Sequence, residues 1–263
     1  MKAKKSLGQN FLSNTKILSK IIDKSEILNS DIILEIGPGT GNLTKELMKK
    51  NPKKIIVVEK DNNLSKILIN KYGNKIHVIN NDILQCYKDF KDNKPMKVFG
   101  NLPYNISTQI LTSFIKLDNM EKIFSNFTFI FQKEVADRIM AMENSKKYGR
   151  LSILTSWKMN RAKLFDINPK DFYPIPKVWS TLIKLWPKKD SQKINKIKNL
   201  EHVTNIFFNQ RRKMIGKPMK QLFKNYDQVA KNLNLDLNLR PQNLTKDKYI
   251  EICKYYEINL TNS

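Results

Sequence analysis

Glu35-Ile36-Gly37-Pro38-Gly39-Thr40-Gly41 stands between two stretches of different periodicity. Upstream, Asp31–Ile36 is an apolar run of strand length. Downstream, Asn42–Lys50 carries Leu43 and Leu47 at helical spacing, with Pro52 just beyond as a stop. Strand, glycine-rich turn and helix form the opening unit of a doubly wound α/β fold. Working outward, Ile55–Glu59, Ile76–Ile79, Lys97–Phe99 and Phe127–Phe131 read as further strands. Leu64–Ile69, Ser107–Ile115 and Glu134–Met140 read as the helices between them, which implies a parallel sheet covered on both faces. Leu151–Met159 fits helix or strand. Val178–Trp186 alternates and reads as a late antiparallel strand at or near the edge. Pro187–Asn199 is a polar, lysine-rich linker, and the pattern from Leu200 onward is helical. The sequence thus predicts an α/β domain over 1–187 and a small all-helical domain over 188–263.

Composition narrows the functional classes. Lys and Arg outnumber Asp and Glu by 48 to 24, a net charge of +24 that favours a polyanion. Only six of the basic residues are Arg, and Asn and Ile are abundant, so a composition bias inflates Lys without removing its field. The longest apolar stretches fall well short of the roughly 18 residues of a membrane span. Met1–Asn10 is basic and polar with no apolar core behind it, which argues against a secretory signal. Cys86 and Cys253 lie far apart and there are two histidines, so no metal site and no disulfide framework is expected, in keeping with a cytoplasmic protein.

In the turn, Gly37, Gly39 and Gly41 permit a tight bend and close approach of a ligand to backbone. A dinucleotide site is the rival reading of such a turn. Two details favour S-adenosylmethionine: acidic Glu35 lies two residues before the first glycine, within reach of a cationic ligand end through water or backbone. Gly41 also comes one residue early for the dinucleotide spacing. Glu59, closing the second strand, suits two ribose hydroxyls, and Asp82, after the third, suits an adenine amine. Either carboxylate would equally cap the helix that follows it. These features together describe a Rossmann-like S-adenosylmethionine-dependent methyltransferase domain.

Gly100-Asn101-Leu102-Pro103-Tyr104-Asn105-Ile106-Ser107 ends the fourth strand. An aromatic amine is a poor nucleophile because its lone pair is delocalised into the ring. The Asn101 side-chain oxygen and the Leu102 carbonyl can accept its two N–H bonds, Pro103 fixes the turn, and Tyr104 offers a stacking face. Displacement at a sulfonium needs orientation more than a strong base, so no general base is assigned. Alone, Asn-Leu-Pro-Tyr also fits a strand-to-helix turn with Ser107 as N-cap. Beside the glycine turn it points to methyl transfer onto adenine in RNA.

Ser6–Leu12, Glu35–Gly41, Val98–Thr108, Phe131–Val135, Tyr148–Ser152, Pro174–Val178 and Phe208–Lys213 occur in the order seen in the ribosomal small-subunit adenine dimethyltransferases, and the chain resembles that family over nearly its whole length. The resemblance implies dimethylation of two adjacent adenosines in the terminal hairpin of small-subunit (16S) ribosomal RNA, late in ribosome assembly. It carries over cofactor contacts at Asn10, Leu12, Gly37, Glu59, Asp82 and Asn101, and a second aromatic at the target base, Phe172, opposite Tyr104. Ile175 and Trp179 depart from the family pattern, as does Gly216-Lys217-Pro218. Arg211, Arg212 and Lys213 at a helix end suit phosphate contacts. A monomer working on the small ribosomal subunit, without membrane or metal, is expected, with Met1–Leu12 mobile until a ligand arrives. Two other readings share these motifs: a large-subunit adenine methyltransferase of the antibiotic-resistance type, and a non-catalytic RNA-binding assembly or transcription factor. A dinucleotide dehydrogenase is more distant.

Overall fold

Every residue of Ile32–Ile36 is buried, as a strand paired on both edges and covered on both faces requires. The computed structural model describes residues 8–91 and 94–261. Among these the strands are β1 (Phe11–Leu12), β2 (Ile32–Ile36), β3 (Lys54–Val58), β4 (His77–Ile79), β5 (Met96–Asn101), β6 (Phe124–Gln132), β7 (Met159–Ile167), β8 (Phe172–Tyr173) and β9 (Ser180–Pro187). Seven of them form one sheet in the order β4-β3-β2-β5-β6-β9-β7. The first five are parallel, and β9 runs antiparallel to both β6 and β7. This is the Rossmann-like topology that the glycine turn predicts. The chain winds outward from β2 to β4, then returns to the other side of β2 as β5, so a switch point opens at the carboxyl ends of β2 and β5.

The late strand begins at Ser180 and lies second from the edge; the edge itself is β7, absent from the sequence reading. β7 mixes apolar and polar residues, mostly half-buried, with a register shift between Lys163 and Phe165. That irregularity erases the alternation by which a strand is recognised. Helix α1 (Thr15–Asp23) was also not foreseen; Asn14 caps it by accepting from Lys16 N and Ile17 N. The other helices of this part are α2 (Asn42–Lys49), α3 (Asn62–Tyr72), α4 (Ile83–Cys86), α5 (Ser107–Ile115), α6 (Met120–Ile123) and α7 (Lys133–Met140). Phe127, Phe129 and Phe131 share one face of β6. There Phe114 of α5 meets Phe124 and Phe127 at ring-centroid distances of 5.0 and 5.2 Å. On the other face Ile33, Val57, Phe99 and Ile130 join a cluster with Leu18, Ile21 and Ile22 of α1.

The chain divides into two compact units, Met1–Ala136 with Met159–Lys189, and Asp137–Lys158 with Asp190–Ser263. The sequence reading cut the chain once, at 187/188, whereas the second unit also takes α8 (Arg150–Lys158) from the middle of the chain. The reason is packing: α8 lies against α9 (Ile197–Asn209) and α12 (Lys246–Thr261), and the Trp157 indole N–H donates to the Gln192 carbonyl at 2.7 Å. Phe207 and Tyr249 meet edge to face at 5.4 Å in its core. The Glu257 carboxylate accepts from Asn195 N, Lys196 N and Asn199 Nδ2, a negative charge where the dipole of α9 favours one. Arg211 is half-buried: its guanidinium donates to the carbonyls of Tyr148 at 2.7 Å and Lys146 at 2.6 Å. Arg211, expected on phosphate, thus clamps the 145–148 loop, while Arg212 and Lys213 are exposed.

The expectation of mobility for Met1–Leu12 falls in part on residues 1–7, which lie outside the described residues. Phe11–Leu12 does have an apolar anchor: Leu12 is buried and β1 pairs antiparallel with β8.

Phe114→Ala is expected to destabilise the protein by about 3–5 kcal/mol, the usual cost of emptying a fully packed aromatic site. Urea unfolding of the variant beside the parent measures it.

Candidate active site

Ile36 stands opposite Gly100 across β2 and β5, and opposite Val58 across β2 and β3. The register alone brings Gly37, Glu59 and Asn101 out side by side at one end of the sheet. Gly100 makes the first pairing possible, since a Cβ there would meet Leu102 Cδ2 at 2.7 Å and the Ile36 carbonyl oxygen at 3.2 Å. A cleft of about 160 Å³ opens at this end, with Asn10, Gly37, Gly39, Glu59, Asp82 and Tyr104 in its wall.

Gly37 has φ +65, and its N–H donates to the Val58 carbonyl at 2.9 Å. No atom lies within 4 Å of the position a Cβ would take, so bare backbone faces the cleft. At Gly39, φ +59, a Cβ would strike the Phe11 ring at 2.6 Å, so Phe11 closes directly over the turn. Gly41 does something else. It does not line the cleft; it lies against Leu68 and Tyr72 of α3, and the Tyr72 hydroxyl donates to its carbonyl at 2.8 Å. Gly41, expected at the cofactor, here packs the turn onto α3.

Glu59 accepts from Gly39 N at 3.0 Å and Asp61 N at 2.9 Å. Burial raises its pKa, and those two hydrogen bonds only partly oppose it. Glu35 is 1% exposed and accepts from the Thr44 hydroxyl at 2.6 Å. Burial pushes its carboxyl up to about 8 against that bond, with a smaller push from the Glu59 charge. Glu35 lines a cavity of about 20 Å³ behind the turn, which shares Phe11, Gly37 and Asn101 with the main cleft. Asp82 combines both of its readings: it lines the cleft, and it caps α4 by accepting from Leu84 N at 3.0 Å. Burial raises its pKa, but the Lys60 ammonium at 2.9 Å and the cap bond outweigh it and hold the carboxyl below its usual value.

The Asn101 side-chain amide donates through Nδ2 to the Asn10 carbonyl at 2.5 Å. That bond fixes which end of the amide is which and leaves the acceptor oxygen on the opposite side. Tyr104 is half-buried, and its hydroxyl shares a 2.6 Å hydrogen bond with Ser180 Oγ at the start of β9. Burial raises the phenol pKa. Ser107 is no N-cap: its hydroxyl donates back to the Tyr104 carbonyl at 3.2 Å. Leu102 is buried at 1% exposure beneath the turn, while Pro103 lines the cleft.

Two carried-over residues stand elsewhere. Leu12 lies in the core, and its carbonyl accepts from Asn42 Nδ2 at 2.9 Å. Phe172 is 2% exposed, packed in the same cluster as Ile130, Ile167 and Leu182, and does not line the cleft. Strand alternation in β8 turns Phe172 inward opposite Leu12 and Tyr173 outward at 63% exposure. Among the cleft residues that the sequence reading did not assign are Phe11, Lys60 and Asn81. Phe11 was legible as the apolar residue between two motif positions, but its partner, Gly39, is apparent only in three dimensions.

Because folding favours the neutral form of Glu35, its contribution to stability is complete below pH 4.5 and is lost as pH rises through about 8. Glu35→Gln, which can keep the Thr44 bond, is therefore expected to gain melting temperature relative to the parent between those pH values and to run parallel above them. Thermal scans of both cofactor-free proteins from pH 4.5 to 9 test this, and curves parallel throughout would contradict the buried-acid assignment.

Comparison with known proteins gives the same picture over the full length. The family described as "Ribosomal RNA adenine dimethylase" matches residues 1–257. "Ribosomal RNA small subunit methyltransferase A" of Pelagibacter ubique (strain HTCC1062) is 50% identical over 257 residues, covering 98% of each chain. Among solved structures, a dimethyladenosine transferase from Plasmodium falciparum superposes with a TM-score of 0.74 at 27% identity, over 96% of this chain and 98% of that one. The 23S rRNA methyltransferase ErmE superposes at 0.68 with 20% identity, over 94% and 99%, a likeness of fold. Matched by the family over residues 1–257 and half identical to such a relative over nearly its whole length, the chain belongs to the ribosomal RNA adenine dimethylase family.

Proposed function

We propose that this chain is an S-adenosylmethionine-dependent methyltransferase that dimethylates the N6 amines of two adjacent adenosines in the terminal hairpin of small-subunit ribosomal RNA, during small-subunit biogenesis. The observation that carries the reading is the Ile36–Gly100 register, which sets the oriented Asn101 amide beside the bare backbone of Gly37. The name of the Pelagibacter ubique relative supports the small subunit over the large one.

The cleft fits the cofactor. Open space where a Gly37 side chain would stand admits a ligand against backbone, and Asn10, Gly37, Gly39, Glu59 and Asp82 would hold it. Bound there, S-adenosylmethionine supplies a methyl group on a positively charged sulfur. The protein's part is orientation. Asn101 Oδ1 and the Leu102 carbonyl accept the two N–H bonds of the adenine amine and hold its nitrogen in line. Pro103 keeps the two acceptors in one rigid turn. The Ser180 bond pins Tyr104, whose face stacks on the extruded base. Such stacking is worth about 1–3 kcal/mol and offsets the cost of unstacking, a few kcal/mol. A dimethylated amine has no N–H left for either acceptor, which favours release.

The second, helical unit is proposed to grip RNA through its backbone, with exposed Arg212 and Lys213 on phosphates. We further propose a cytoplasmic monomer that needs no metal, because displacement at a sulfonium asks for alignment rather than a Lewis acid. Among the described residues no helix is long and apolar enough to cross a membrane.

With labelled methyl donor and immature small subunits, incorporation at paired adenosines is expected, whereas binding without incorporation would overturn the enzyme reading. Asn101→Ala is expected to keep RNA binding and lose on the order of 100-fold in transfer, as removal of one preorganised hydrogen-bonding group does. Arg212→Ala and Lys213→Ala should each flatten the salt dependence of RNA affinity, by about 0.7 in log–log slope per lost single-strand phosphate contact. Arg211→Ala should lower thermal stability instead, since it releases the 145–148 loop.

A further inference from the structure

Between Phe172 and Ser180 four large apolar side chains face solvent: Tyr173 at 63%, Ile175 at 65%, Val178 at 42% and Trp179 at 46% exposure. Exposed apolar groups so concentrated mark a surface that binds something. The segment that carries them is held at both ends. Phe172 pairs with Leu12, the Trp179 carbonyl accepts from Lys133 N at 2.8 Å, and Thr181 donates to Asp166 at 2.7 Å. Pro174 and Pro176 stiffen the span between them. The frame is thus fixed while its side chains are left outside.

We infer that Tyr173 and Trp179 form a stacking shelf for an unpaired base of the substrate RNA, the neighbour of the adenosine in the cleft. This inference rests on the proposed function. Three observations favour a base as the occupant. The shelf is tied through the chain to a cleft residue: Trp179 precedes Ser180, whose hydroxyl shares a hydrogen bond with that of Tyr104. Exposed Lys177 stands between the two aromatic residues in a chain of net charge +24, and aromatic faces interleaved with cations are what a single strand recognises. Drawing one adenine out of the stack also bares the face of the next, and in a paired target that next base is itself a substrate.

The experiment pairs Trp179→Ala with Trp179→Phe and Trp179→Leu, all at an exposed position. A short single-stranded RNA carrying 2-aminopurine beside the target adenosine reports stacking by fluorescence quenching, and labelled-methyl assays on immature small subunits give KM and kcat. The parent is expected to quench the probe; Trp179→Ala is expected to lose the quench and raise KM roughly 10-fold with little change in kcat. Phe should restore both and Leu neither. Equal quenching and KM in parent and Ala variant would overturn the shelf, as would full rescue by Leu, which would point to a protein surface instead. A shift of oligomeric state in the Ala variant with unchanged quenching would assign the patch to a second copy of the chain. A parent that transfers no methyl group to adenosine fails the proposed function itself, an outcome distinct from all of these.

Discussion

The site depends on a single pairing. Ile36 opposite Gly100 decides that a ligand-binding turn and an acceptor-bearing turn leave the sheet together. The pairing tolerates no side chain at Gly100, because Leu102 folds back under the turn into the space a Cβ would claim. Burial of Leu102 in turn places its backbone at the cleft wall beside Asn101. The placement of the Asn101 turn beside the glycine turn is therefore inherited from hydrogen bonds of the sheet, among the stiffest elements available.

Electrostatics sort two ligands of opposite character. The protein is strongly cationic overall, which draws in a polyanion. Beside the glycine turn, however, sit two buried carboxyls, Glu59 in the cleft wall and Glu35 behind it, both with raised pKa. A cationic ligand in the cleft would lower both values, since a nearby positive charge favours the ionised form. Asp82, nearer the surface, is paired with Lys60 and stays ionised regardless. Acid is thus stored beside the glycine turn, within a chain whose net charge is strongly positive.

What the sequence disclosed follows from burial. Strands sealed on both faces, β2 and β3 above all, announce themselves as apolar runs, and the glycines between them name the turn. β7 hid behind its bulge. Glu59 and Asp82 could be read as ligands or as caps because the carboxyl ends of strands offer both uses; Asp82 combines them, and Glu59 meets the backbone of Gly39 and Asp61. Phe172 and Arg211 stand in surroundings that residue type does not disclose, for one common reason. Residue type suggests what a side chain could bind, but alternation turned Phe172 into the core, and three nearby carbonyls captured the Arg211 guanidinium. No one-dimensional pattern shows which of two adjacent residues, Phe172 or Tyr173, faces out.

The short segment from Asn10 to Leu12 then acquires a meaning beyond contact with a cofactor. Its three residues touch three different parts of the site: the Asn10 carbonyl holds the Asn101 amide, the Phe11 ring covers Gly39, and the Leu12 carbonyl holds Asn42 at the start of α2. Through β1 the same segment pairs with β8, which opens the stretch bearing Tyr173 and Trp179. A side chain at Gly39 would push Phe11 outward, and Asn10 could not then keep its grip on the amide, since the two residues are adjacent on one strand of chain. Cofactor turn, amine acceptor and exposed aromatic stretch are therefore mechanically one unit, tied by a segment whose own regular structure is two residues long.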